Sequence, residues 1–114
     1  MVTYEEAAWF VLRVAETPGI NGPQEAFGHA RERRWLAAGA AAGDAARLDG
    51  LSLLIMQSFG FEGGLLFNFT KNARYAYREL LYQGIIQGRV DPGMGVSGDF
   101  LLYIMGRVLS HTGG

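Results

Sequence analysis

Gly93-Met94-Gly95-Val96-Ser97-Gly98 spells G-x-G-x-x-G, the pattern whose backbone amides cradle a pyrophosphate at a helix N-terminus. That chemistry requires a strand before the first glycine, a helix after the last, and an acidic residue about twenty positions on. Here a helical pattern and an Asp91-Pro92 turn come first, and no acidic residue follows Asp99. The glycines therefore read as chain-turning residues, and no nucleotide or other cofactor is expected. A weaker reading survives: helix N-termini attract anions, and Arg89 lies close by in sequence.

Other reactive residues form no recognisable constellation. Glu32 and Glu79 offer two carboxylates, but nothing in their spacing demands the separation a glycosidase needs. Ser52, Ser58, Ser97 and Ser110 have no activating histidine by motif, and Ser97 is already suited to capping a helix. His29 and His111 are too few for a histidine-rich metal site, and the absence of cysteine removes disulfides and thiolate ligands. The basic run His29-Ala30-Arg31-Glu32-Arg33-Arg34 spreads around a helix and reads as a solvated face, with no wider stripe for nucleic acid. Asn68-Phe69-Thr70 fits a glycosylation sequon, a match too short to weigh. The expectation is a non-enzymatic protein.

The elements that must position these residues belong to one domain spanning 1–114. An apolar fraction of 49% with 18% charged residues is that of a globular chain, and a net charge of −1 gives no global attraction to nucleic acid or anionic lipid. Nearly all basic charge is arginine, Lys71 being the only lysine. The run Leu36 to Gly43 falls far short of the ~20 residues that cross a bilayer. The start does not resemble a signal peptide, because Glu5 and Glu6 interrupt it.

Repetition organises the chain. Residues 96–109, VSGDFLLYIMGRVL, align with 2–15, VTYEEAAWFVLRVA, matching Val2 with Val96, Thr3 with Ser97, Glu5 with Asp99, Trp9 with Tyr103 and Arg13 with Arg107. A third copy, 48–60, keeps the opening with Asp49 as the expected cap. Thr3, Asp49 and Ser97 carry side-chain oxygens suited to first-turn amides, and Thr3-Tyr4-Glu5-Glu6 is a capping box. Ala7, Phe10, Val11 and Val14, and likewise Leu101, Ile104, Met105 and Val108, make apolar stripes at helical spacing. Gly39 and Gly84 stand where helices should end, as left-handed C′ residues. The spacing predicts five helices, 3–16, 24–38, 49–60, 72–83 and 97–110. The repeat units are 2–16, 24–60 and 72–110. Residues Leu65 to Phe69 read equally as a short extended piece or a buried turn.

This pattern resembles the S-layer homology family. The matching residues are Tyr75-Ala76-Tyr77, Gly84-Ile85-Ile86-Gln87-Gly88, Asp91-Pro92-Gly93 and Val96-Ser97-Gly98-Asp99. Trp35, Gly39, Gly43 and Leu48-Asp49 form a weaker copy, and Val2-Thr3-Tyr4-Glu5 form half of another. The resemblance implies a compact all-α bundle with pseudo-threefold arrangement, anchoring envelope proteins to cell-wall carbohydrate. The family grips its ligand with an arginine directly after each cap; here those places hold Tyr4, Gly50 and Gly98. The implied role is a degenerate structural or interaction module in the periplasm or cell envelope. Its partner would be peptidoglycan or another envelope protein, and the chain a fragment of a larger protein, such as one carrying an OmpA-like domain. A retained carbohydrate anchor would have to use Arg47, Arg89 and Asp91 instead.

Overall fold

The computed structural model describes residues 1–63, 67–68, 71–88 and 90–113. Among the described residues five helices of ten or more residues appear in the expected order: α1 Tyr4–Val14, α2 Pro23–Glu32, α3 Leu48–Ser58, α4 Ala73–Tyr82 and α5 Gly98–Gly113. Among the described residues there is no strand, only isolated antiparallel bridges between Thr3 and Ala45 and between Arg47 and Gly95. Among the described residues no helix is long and apolar enough to cross a membrane.

Helix α3 is the centre. Eight of its eleven residues, Leu48 and Gly50 to Met56, are buried. A helix apolar on nearly every side belongs inside a core. It packs most extensively against α4, while α1 packs on α2 and also touches α3 and α5. Leu12, Leu54, Ile55, Leu80, Ile85, Ile104 and Met105 fill the space between them, each large side chain contributing about 1.5–3 kcal/mol on burial. The α5 stripe is buried as expected, at Leu101, Ile104, Met105 and Val108. In α1 the buried face is Tyr4, Ala7, Ala8, Val11 and Leu12. Phe10 and Val14 lie at its edge, one step around from the expected stripe.

Two expected helix boundaries change. Helix α2 ends at Glu32, not Ala38, because Arg34 takes φ 60° and turns the chain. The amide of Trp35 then returns to the carbonyl of Ala30 at 2.9 Å. The Trp35 ring meets His29 edge-on at 5.4 Å, the apolar contact that accompanies such a terminator. Gly39 has φ 83° as expected of it, but in a later turn closed by Ala40 N to Ala37 O. The same terminator recurs: Thr17 N to Leu12 O, Phe61 N to Met56 O and Ile85 N to Leu80 O end α1, α3 and α4. Their left-handed residues are Glu16, Gly60 and Gly84. Glycine supplies this conformation without penalty; Glu16 and Arg34 adopt it at a cost of about 1–2 kcal/mol each.

The second change concerns the third opening. Thr3 caps α1 through the full capping box, its Oγ1 accepting from Glu6 N and its own amide donating to Glu6 Oε1. Ser97 Oγ accepts from Phe100 N. The N-cap of α3, however, is Arg47, which contributes no capping side chain. Asp49 lies inside the first turn, where its Oδ1 accepts from Gly50 N at 2.7 Å. Three amides elsewhere explain the register. Val2 N donates to Val96 O at 2.8 Å, Val96 N to Ala46 O at 3.2 Å, and Ala46 N to Val2 O at 2.9 Å. The residues just before the caps Thr3, Arg47 and Ser97 thus close a ring of backbone hydrogen bonds. The position directly after the second cap is therefore Leu48, not Gly50, and it is buried.

Candidate functional site

Two junctions flank this ring and share one construction. At α1, Tyr4 N donates to Asp44 O at 3.0 Å and Glu5 N to Ala42 O at 3.1 Å. At α3, Leu48 N donates to Met94 O at 2.9 Å and Asp49 N to Pro92 O at 2.8 Å. Each loop leading into a cap thus lays two alternate carbonyls over the first amides of another helix, groups that would otherwise lack partners.

This settles what the loop at Gly93–Gly98 does. It presents carbonyls to α3 rather than amides to an anion. Three of its own amides are also engaged: Gly93 N with Asp91 Oδ1 at 2.8 Å, Met94 N with Asp91 O and Val96 N with Ala46 O. Gly93, Gly95 and Gly98 do not take positive φ, so they do not turn the chain as the sequence reading supposes. Gly93 and Gly95 instead allow close approach. A Cβ on Gly93 would stand 3.1 Å from Arg47 Nη2, and one on Gly95 would stand 3.1 Å from the sulfur of Met1.

Arg47 and Asp91, two of the three expected ligand-binding residues, meet around Gly93. Arg89 lies outside the described residues. The Arg47 guanidinium is 56% exposed but grips Asp49 with two bonds, Nε to Oδ1 and Nη2 to Oδ2, both 3.2 Å. That hydrogen bonding, with the nearby negative charge, raises the Arg47 pKa further above its ordinary value. Beside it runs a groove of about 280 Å³ bordered by Tyr4, Gly39, Asp44, Arg47 and Asp49. The Tyr4 ring fills the space a side chain on Gly50 would need, and Tyr4 Oη accepts from Arg47 N at 3.3 Å. The arrangement locks the loops to the helix starts and leaves an exposed guanidinium already matched to a carboxylate.

The remaining sequence candidates serve the scaffold. Ser52 Oγ donates to Leu48 O and Ser58 Oγ to Leu54 O. Glu32 is the exposed last residue of α2, whereas Glu79 lies on α4 close to Gly63. His29 Nδ1 accepts from Arg33 Nη1 at 3.1 Å, and burial, with Arg33 adding to it, lowers its pKa. No group of three acidic or histidine side chains suited to a metal occurs among the described residues. Of the sequon, Asn68 is exposed and exchanges bonds with the Gly63 main chain, while Phe69 and Thr70 fall outside the described residues, as do Leu65 and Leu66; Phe67 is buried.

Tyr77, part of the Tyr75-Ala76-Tyr77 match in the sequence but given no role there, is an anchor. Tyr77 Oη donates to Val90 O, tying α4 to the loop that carries Asp91. Burial pushes the phenol pKa above 10.0, with Asp91 adding to the shift. The fold favours the neutral phenol, so this stabilisation is fully present below the unfolded pKa and is lost as pH rises through the folded one. Tyr77→Phe is expected to cost about 0.5–1.5 kcal/mol at neutral pH. It should also flatten the fall in stability above about pH 10 relative to the parent, read by urea titration across pH 8–11.

No protein-family profile, curated protein or solved structure matches the chain.

Proposed function

We propose that the chain is a non-enzymatic structural or interaction module of a bacterial cell-envelope protein, built on the S-layer-homology plan with its three helix openings arranged around a pseudo-threefold axis. The observation that carries this reading is the ring joining Val2, Ala46 and Val96. Repeated units that share a plan bring equivalent backbone positions together, and here each pre-cap residue donates to another pre-cap carbonyl. The repeated two-carbonyl junctions at α1 and α3 support it further. The degenerate character follows from the places after the caps: Tyr4 and Leu48 are buried, and Gly98 has no side chain. None can extend a cation to a ligand.

In this reading the module works in the periplasm or at the cell wall, as a rigid spacer or docking surface for another envelope protein. Sedimentation with purified peptidoglycan sacculi tests it. Weak, non-saturating association that salt abolishes is expected. Tight, saturable binding would restore the carbohydrate anchor. That second reading is favoured by the exposed Arg47 beside its groove, and it requires Arg47→Ala to reduce sacculus binding without lowering the melting temperature.

A further inference from the structure

A larger groove, of about 550 Å³, opens on the far side of the Ala37–Ala40 segment. Its charged lining consists of Arg31, Arg34 and Lys71, with no carboxylate among the lining residues. Its floor is apolar, formed by the buried Leu36 and Leu53 together with Ala37, Ala38 and Ala73. The three cations come from separate places: the last turn of α2, its terminator, and the residue ahead of the α4 cap. Three cations with no carboxylate give this cavity a local positive field in a chain whose net charge is −1.

The backbone fixes where two of these cations start. Only three non-glycine residues among those described have positive φ: Glu16, Arg34 and Lys71. Two of the three line this one groove, and both are cationic. At Arg34 this backbone serves the α2 terminator, and at Lys71 it accompanies the bond from Lys71 N to Phe67 O, so local turns fix where both cations leave the chain. The cations also differ in how free they are. Arg31 donates to Ala40 O and lies over the Phe27 ring, so it braces the groove wall. Among the described residues Lys71 rests over the Phe67 ring at 4.9 Å with no acidic partner, and the Arg34 side chain makes no hydrogen bond or ion pair.

We propose that this groove binds a small oxyanion-bearing ligand with an apolar flank, the anionic group held by Arg34 and Lys71 and the flank laid on Leu36 and Leu53. The shared chemistry covers carboxylates and phosphates. A guanidinium fork and an ammonium suit either, and a phosphate monoester, with its greater charge, gains more from both together. The inference is separate from the ring-based reading of function and stands on different residues.

The test is an amide NMR titration of the intact chain with benzoate, phenyl phosphate, acetate and inorganic phosphate, repeated with Arg34→Asn and Lys71→Asn. Asparagine tolerates left-handed backbone better than either parent residue, so melting temperatures should hold or rise. Saturable shifts confined to residues 31–40, 53 and 71–73 are expected, with the aromatic probes binding more tightly than acetate or inorganic phosphate. Each substitution should weaken binding about tenfold, equivalent to about 1.4 kcal/mol. A preference for phenyl phosphate over benzoate would identify a phosphate ligand, and the reverse a carboxylate. Shifts scattered over Arg47, Arg74 and Arg78, or affinities unchanged in stably folded variants, would overturn the proposal.

Discussion

Gly50→Ala is expected to destabilise the protein by about 1–3 kcal/mol, although glycine to alanine inside a helix ordinarily stabilises by roughly 0.5–1 kcal/mol. The reversal comes from Tyr4. An alanine Cβ at position 50 would lie 2.4 Å from Tyr4 Oη and 2.9 Å from its ring carbon. Tyr4 is only 4% exposed and accepts from the amide of Arg47, so it cannot swing away without unpairing the start of α3. Tyr4→Ala alone is expected to cost about 3–5 kcal/mol, as for other large buried aromatics. The informative quantity is the cycle. In the Tyr4→Ala background, Gly50→Ala should become neutral or stabilising in urea denaturation. Strictly additive losses would show that the two residues do not share this space.

Arg107→Ala is expected to lose about 1.5–3 kcal/mol, because a charged donor would vanish from two helix-terminal carbonyls. Arg107 reaches Gly84 O with Nε at 3.1 Å and Nη2 at 2.6 Å, and Ile85 O with Nε at 3.1 Å. Those carbonyls belong to the terminator just past the end of α4, where a cation also suits the helix dipole. The aligned Arg13 provides the control. It covers Trp9 at 4.9 Å much as Arg107 covers Tyr103 at 5.8 Å, yet it is exposed and makes no carbonyl bond. Arg13→Ala should therefore cost only about 0.5–1 kcal/mol. Arg107→Lys should recover part of the loss, since an ammonium cannot fork between two acceptors. Equal losses at positions 13 and 107 would assign the effect to ring stacking instead.

The pairing of Arg13 with Arg107 was legible because both copies keep cap, aromatic and arginine at the same spacing. So were the five helices, the capping box and the Gly84 terminator, where apolar period and glycine agree. The third opening was less legible. Asp49 is an excellent cap by residue type, and Arg47 is a poor one, so local propensity points two residues too far along. The ring fixes Ala46 beside Val2 and Val96, and tertiary hydrogen bonding outweighs the cap. The early end of α2 was hidden for a related reason. Arg34 carries no left-handed signal, and only the return of Trp35 toward His29 favours stopping there.

The site shows the same division. That Gly93–Gly98 is no nucleotide loop could be argued from its sequence neighbours. That its glycines accommodate Arg47 and Met1 could not, because those contacts join residues far apart in the chain. The basic groove was hidden as well. Arg31 and Arg34 read as a solvated helix face, and Lys71 lies far along the chain; the α2 terminator and the start of α4 bring them to one cavity.

Three helix openings are held by one closed ring of main-chain hydrogen bonds. Scalar couplings across those bonds, measured on labelled protein, test it most directly. Coupling should appear from Val2 N to the Val96 carbonyl, from Val96 N to Ala46, and from Ala46 N to Val2, with all three amides exchanging together at the slow rate of global unfolding. A missing Val2 coupling with that amide exchanging at an unprotected rate, while Ala46 and Val96 stay protected, would contradict the ring and the shared plan inferred from it.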